Sequence, residues 1–420
     1  MNVLWITNIL FPEASSKLGG INELKSSGGW MLGSANNLIK YDNIKLYVAT
    51  VSPLVKNMQC ITGNQIVYYI LPYGKGNLKP NRHYQEFWLK IKSDVNPDVV
   101  HIHGTEYSHG FEYIRACGAD NVVISIQGMK SAYYSYYFCG ISIMEIYRNI
   151  TIRDIFKGSI IKGCRDFKRS SNYEIDMLNM VQHIIGRTSW DRARTWAINP
   201  NAQYHLCNET LRDEFYDQSL WNYEKCQKYT IFLSQAGYPI KGLHQLLKAM
   251  PLIIKYYPDT LIRIAGSDIT RCNSIKDILH YTGYGRYVKS LIRNLNLQDK
   301  VMFIGNLNAD DMKKEYLNCN VFVCPSSIEN SPNSLGEAQI LGVPCIASYV
   351  GGIPDMMVGC EDNLYRFNEI EMLAEKIIKI FNLKGNVDNS FMQKKALLRH
   401  NPGKNVVQLV NIYREIVKNN

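Results

Sequence analysis

The chain has 420 residues, 46% of them hydrophobic and 20% charged, with a formal net charge of +10. A chain of this size and make-up divides into two or three folded domains, which excludes a largely disordered protein. The basic excess fits an anionic partner such as a phosphorylated substrate or an acidic membrane. Without a concentrated basic stripe or a recognisable motif, nucleic acid is excluded.

The opening, "MNVLWITNILFPEASS", lacks a basic start and meets Pro12, so it reads as a first strand and not as a leader. Strands are predicted at Val3–Leu10, Ile44–Thr50, Gln65–Leu71, Asp98–Gly104, Val122–Gln127, His183–Arg187 and Gln203–Leu206, with helices at Arg82–Val95 and Trp190–Ile198. A second series follows at Tyr229–Gln235, Leu261–Ala265, Val301–Gly305, Val321–Pro325 and Pro344–Tyr349. Its helices are predicted at Gly242–Tyr257, Tyr287–Leu295, Asp310–Asn318 and Asn333–Leu341. Apolar runs without strict alternation suit strands buried on both faces of a parallel sheet. The rhythm therefore predicts two doubly wound α/β domains, residues 1–223 and 224–401, with the seam in the polar stretch around Tyr223. No apolar run approaches the roughly 20 residues of a spanning helix. Eleven cysteines carry no metal-ligand spacing and read as buried thiols of a reducing compartment. A cytoplasmic protein able to touch a membrane surface is the expectation.

Ligands of open α/β sheets gather beyond the carboxyl ends of the strands. After the strand ending at Pro325 comes "SSIENSPNSLGEAQILGVP", with Glu329 and Glu337 on either side of Pro-Asn-Ser. Pro332 suits a first helical turn and Ser331 can cap it. The freed N–H groups of Asn333 and Ser334 then form an anion site of the phosphate-binding kind, with Leu335 following in the same turn. Glu329 reaches just beyond the phosphate and Glu337 to its other side. After the strand ending at Gln235, Lys241 precedes a helix start and can neutralise a departing phosphate. In the first half, Gly28 and Gly29 precede a helical pattern, either as a close approach to a ligand or as a plain tight turn. In "VVHIHGTEYSHG", His101 and His103 share one face of a strand and read as packed or hydrogen-bonded side chains rather than metal ligands.

These segments together resemble the retaining glycosyltransferases of family four. The E-x7-E pattern from Glu329 to Glu337, the later Gly-Gly-x-Pro, "YPIKG", "PDVVHIHG" and the glycine pair carry the likeness over nearly the whole chain. The resemblance implies the GT-B architecture: two facing Rossmann-like domains, a nucleotide-sugar in the cleft between them, and a last helix, here about 402–420, that crosses back to the first domain. It implies that Glu329 holds the donor sugar, Asn333 and Ser334 the distal phosphate, Glu337 the ribose, and Lys241 the leaving diphosphate. Gln235, Ser331, Leu335 and Gly29 would join the donor side, and His103, Gln127 and Gly28 the acceptor or donor-sugar side. It also implies transfer with retention, without metal or other cofactor, UDP-sugars being favoured over GDP-sugars. In keeping with that, the chain has no Asp-x-Asp. Two positions depart from the pattern. The family usually has an arginine six residues before the lysine, where this chain has Gln235, and often a histidine where it has Gln127.

Residues 129–177 run from aromatic residues into bases interleaved with apolar ones. They read either as an acceptor entrance with an anionic membrane contact, or as an inserted helical hairpin. The expected function is a hexosyltransferase acting on a glycan or a polyprenyl-diphosphate-linked glycan in surface polysaccharide synthesis. The alternatives are a non-catalytic nucleotide- or carbohydrate-binding protein on the same scaffold, or a sugar-nucleotide epimerase of GT-B architecture.

Overall fold

The computed structural model describes residues 1–19, 29–72 and 84–419. The chain forms two compact units. The first comprises Met1–Ala132, Asp166–Arg212 and Arg399–Asn420; the second comprises Tyr133–Arg165 and Asp213–Leu398. The chain thus passes between units upstream of Tyr223, and residues 133–165, which lie in the first half of the sequence, belong to the second unit.

In unit 1 the strands are β1 (Asn2–Ile6), β2 (Lys45–Ser52), β3 (Gln59–Thr62), β4 (Ile66–Pro72), β5 (Val99–His103), β6 (Val122–Ser125), β7 (His183–Gly186) and β8 (Gln203–Leu206). They lie side by side as β3-β4-β2-β1-β5-β6-β7-β8. Every pairing is parallel except β3 with β4. Strand β3 escapes the sequence reading because it is a short edge strand with exposed Gln59, Cys60 and Thr62 and no apolar run. The helix Pro402–Asn419 packs against the helix Gly29–Leu38 and β5. It drives Leu409, Val410, Ile412, Tyr413 and Ile416 into the core with Val3, Trp5 and Leu46. Tyr413 Oη accepts from Trp5 Nε1 at 2.9 Å and lies 2.6 Å from His101 Nδ1, so the last helix is tied by polar as well as apolar contacts.

Unit 2 holds β9 (Thr230–Leu233), β10 (Leu261–Ile264), β11 (Val301–Phe303), β12 (Val321–Cys324), β13 (Cys345–Ser348) and β14 (Leu364–Tyr365). Their order is β11-β10-β9-β12-β13-β14, all parallel. This is the 3-2-1-4-5-6 order of the doubly wound fold. Ile231, Leu233, Val321 and Val323 enter one apolar cluster, whereas Phe232, Phe322 and Cys324 enter another. Burial on both faces explains why these strands read as continuous apolar runs. The two-residue β14 is too short to leave such a signal.

The strand order locates the switch point of unit 2 between β9 and β12, where successive crossovers leave on opposite sides of the sheet. That is where an open α/β sheet leaves a crevice at its carboxyl edge.

Candidate functional site

The loops leaving β9 and β12 meet at this switch point. After β9, a short 3-10 turn, Pro239–Lys241, ends at Gly242 with φ +72°. A Cβ on Gly242 would lie 1.8 Å from the Pro325 carbonyl oxygen, so only glycine lets the two loops close. Ser327 N–H donates to Ile240 O at 2.9 Å across the same junction. This brings Lys241 and Glu329 together, with Lys241 Nζ donating to Glu329 Oε1 at 2.5 Å. Ser326 Oγ donates to the same carboxylate oxygen at 2.9 Å.

The backbone of Glu329 is held as firmly. Its carbonyl accepts from Gly352 N–H at 3.0 Å. Gly351, with φ +52°, could carry no side chain, since a Cβ would lie 1.8 Å from that carbonyl. The Gly-Gly of the sequence pattern is thus a backbone clamp on Glu329. Burial acts to lower the Lys241 pKa, but the Glu329 carboxylate and Tyr238 outweigh it, so the ammonium is held above the ordinary lysine range. Lys241 is therefore a fixed cation with N–H donors left for a further anion.

The helix that follows spans Asn333–Ile340, one residue shorter than the sequence predicts. Its start differs too. Pro332 itself is the extended N-cap residue, with ψ 118° and no side-chain cap. A capping side chain must come from the residue adjoining the first turn, and Pro332 occupies that place. Ser331 therefore does not cap; its Oγ lies 3.6 Å from Met356 Sδ. Asn333 and Ser334 are half-buried at the helix start. Leu335 is buried in the core, and its N–H already serves Pro332 O at 3.0 Å. Glu337 is buried, with Tyr316 Oη donating to its Oε2 at 3.4 Å and to Ser334 O at 2.9 Å. Gln235 is exposed just past β9.

Unit 1 has its own strand-end cluster. Gln127, past β6, gives its Nε2–H to Glu209 Oε1 at 2.5 Å. Arg187, past β7, binds Glu209 Oε2 at 2.6 Å and the Gln127 carbonyl at 3.3 Å. Sequence reasoning marked Gln127 but missed Arg187 and Glu209. The only available signal was that each follows a strand end. Gly29 begins the helix Gly29–Leu38, and a Cβ there would press on the Arg212 side chain at 2.9 Å. Gly28 lies outside the described residues. No group of three or more His, Cys, Asp or Glu side chains able to hold a metal occurs among the described residues.

His103 packs on His101 with ring centroids 3.8 Å apart and on Trp5 at 4.4 Å. Neither ring nitrogen has a hydrogen-bond partner among the described residues. His103 borders a cavity of about 40 Å³ that Trp5, Trp30, Arg187 and Glu209 also line. Burial pushes His103 and His400 down to about 3 and His109 down to about 4, all in unit 1, while His244 of unit 2 falls to about 4. These rings stay neutral in the folded chain, whereas the unfolded chain protonates them near pH 6.5. Folding stability therefore falls as the pH drops from about 6.5 toward 4, by about 1.4 kcal/mol per pH unit for each histidine. Glu106, which burial raises to about 7, acts in the opposite sense, its contribution falling as the pH rises through that range. Burial lowers His101, His183 and His205 of unit 1 as well and raises Glu174, so among the described residues six histidines stand against two carboxyls and leave unit 1 the more acid-sensitive. Hydrogen exchange at pH 5 is expected to show unit 1 opening before unit 2; equal opening would contradict it.

Residues 218–396 match the family model described as Glycosyl transferases group 1. Over 153 residues the chain is 29% identical to the GDP-mannose-dependent monoacylated alpha-(1-6)-phosphatidylinositol monomannoside mannosyltransferase of Corynebacterium glutamicum, covering 34% of this chain and 35% of that one. Such matches span only about a third of the curated relatives' length, 30% to 38% for the first three. Among solved structures, the sucrose-phosphate synthase of Thermosynechococcus elongatus aligns over 100% of both chains at TM-score 0.72 and 16% identity. Anabaena HepE in complex with UDP-glucose aligns over 99% of this chain and 100% of that one, at TM-score 0.65 and 14% identity. At such identities the likeness establishes the fold, which is GT-B.

Proposed function

We propose that the chain is a retaining glycosyltransferase that moves a hexose from a nucleotide-diphosphate sugar to a glycan or lipid-linked glycan. The observation that carries this reading is the Lys241–Glu329 pair at the switch point of unit 2, held by backbone closures that only glycine permits. A fixed ammonium beside a helix start suits a diphosphate. A buried carboxylate one hydrogen bond away suits sugar hydroxyls. The match of residues 218–396 to a glycosyltransferase model supports the same reading.

In the proposed step, the bond from the anomeric carbon to the phosphate oxygen breaks as the bond to the acceptor oxygen forms on the same face. The acceptor proton passes to the departing diphosphate. Lys241 stabilises the charge that develops there and Glu329 orients the ring, with no metal required. Glu337 holds the ribose. His103 and Gln127 of unit 1 belong to the acceptor or donor-sugar side. UDP is the favoured carrier, since HepE is described with UDP-glucose. The Corynebacterium relative is named for GDP-mannose and for a phosphatidylinositol glycan. That name supports a membrane-borne acceptor, and with it a place in surface polysaccharide synthesis at the inner face of the cytoplasmic membrane. Among the described residues no helix is long and apolar enough to cross a membrane.

Calorimetric titration with UDP, GDP and ADP, each with and without a chelator, tests the reading. One nucleotide is expected to bind, and to bind equally well with chelator. Glu337→Ala is expected to weaken it about 10- to 100-fold, the worth of hydrogen bonds to a charged group. Glu329→Ala should leave nucleotide affinity within about threefold but abolish measurable transfer. Binding of no nucleotide would defeat the proposal. Nucleotide binding without donor hydrolysis or transfer would instead mark a non-catalytic binding protein.

A further inference from the structure

Three short helices of unit 2 share one pattern. Ile152–Lys157 reads IRDIFK, Ile275–His280 reads IKDILH, and Ile143–Arg148 reads IMEIYR. Each begins with a capping box whose carboxylate, Asp154, Asp277 or Glu145, is turned back onto the helix start. Each then shows apolar side chains to solvent. Phe156 is 83% exposed, Ile275 80% and Ile155 72%, and Ile143, Met144, Tyr147, Ile152, Ile278 and Leu279 are exposed as well.

The first two helices are more than 100 residues apart in sequence but are pinned together. Thr151 Oγ1 donates to Tyr281 O at 2.7 Å, and Gly283 N–H donates to Asp154 Oδ2 at 2.7 Å. Arg286 Nη1 reaches Ile150 O at 3.1 Å. A Cβ on Gly283 would lie 2.5 Å from Asp154 Oδ2, so the junction admits no side chain there. Two outward apolar triads, at positions one, four and five of each helix, are thus set on one rigid knob.

The exposed charge around the knob is mostly positive, Asp268, which accepts from Thr270, being an exception. Its carboxylates are engaged in caps, and Asp277 also receives Arg271 Nε at 3.2 Å. Arg148, Lys157, Lys162 and Lys276 remain exposed. Exposed apolar residues rimmed by bases, with the acids folded inward, match an interface of acyl chains beneath anionic headgroups. We propose that the knob built from Ile152–Lys157 and Ile275–His280 seats this protein on an anionic bilayer, with Phe156, Ile155 and Ile275 entering the acyl boundary. The inference does not depend on sugar transfer, and its readout is lipid binding alone.

The test is co-sedimentation of the full chain with vesicles of phosphatidylcholine alone, or with about a third phosphatidylglycerol. The wild type is expected to bind the anionic vesicles about tenfold or more tightly than the neutral ones, and more weakly as salt rises. Phe156→Ser with Ile275→Ser should lose about tenfold or more of that binding while nucleotide titration stays unchanged. Lys157→Glu with Lys276→Glu, which leaves the apolar faces in place, should lose it at low salt. Equal binding to both vesicles, no binding, or undiminished binding by either variant would overturn the proposal. So would a wild-type dimer that Phe156→Ser with Ile275→Ser converts to monomer without affecting lipid binding, since the knob would then face a second copy.

Discussion

Lys241→Ala is expected to slow sugar transfer by about 10²–10³ at saturating donor, the usual loss when one fixed charge-stabilising donor is removed. Two effects combine. The departing diphosphate loses its cation, and no arginine stands six residues upstream to replace it, because that position is the exposed Gln235. The Glu329 carboxylate also loses the partner 2.5 Å away and keeps Ser326 Oγ at 2.9 Å, a neutral donor, so an uncompensated negative charge remains beside the diphosphate. Lys241→Arg keeps the charge but must fit a larger fork into a closed junction, so partial activity is expected. Assay of nucleotide release alongside thermal melts separates the chemistry from folding. A folded Lys241→Ala protein with activity within about threefold of wild type would remove lysine from the mechanism.

The second large effect lies in unit 1. Glu209→Ala is expected to destabilise the protein by about 3–5 kcal/mol, the cost of stranding one member of a buried ion pair. The Arg187 and Glu209 side chains are only 5% and 9% exposed, and Gln127 depends on the same carboxylate for its amide. Glu209→Gln retains an acceptor oxygen and is expected to cost less. Urea unfolding followed by a probe in unit 1 gives the difference; a loss below about 1 kcal/mol would mean that water enters and screens Arg187.

Much of this was legible because parallel strands buried on both faces leave long apolar runs. The strand ends led from there to Lys241 and Glu329 by position alone. Their mutual ion pair was not legible, because it depends on how two loops far apart in sequence close over Gly242. The Arg187–Glu209–Gln127 cluster was hidden for the same reason, being assembled from three separate strand ends. Capping by Ser331 was misjudged because proline can serve as the extended residue before a helix as well as in its first turn. The knob was half visible: the basic and apolar character of 129–177 could be read, but its partner helix at Ile275–His280 could not.

The three-segment make-up of unit 1 bears on how the chain emerges from a ribosome. Trp5 is made 408 residues before Tyr413, yet its indole N–H waits for that partner. Until the helix Pro402–Asn419 leaves the exit tunnel, the sheet containing β1 lacks the cover of Leu409, Val410, Ile412 and Ile416. Unit 2 has all its residues once Leu398 has emerged, so it can finish folding while unit 1 is still open. A premature stop between Arg399 and Tyr413 would therefore damage a sheet whose strands had been made long before it.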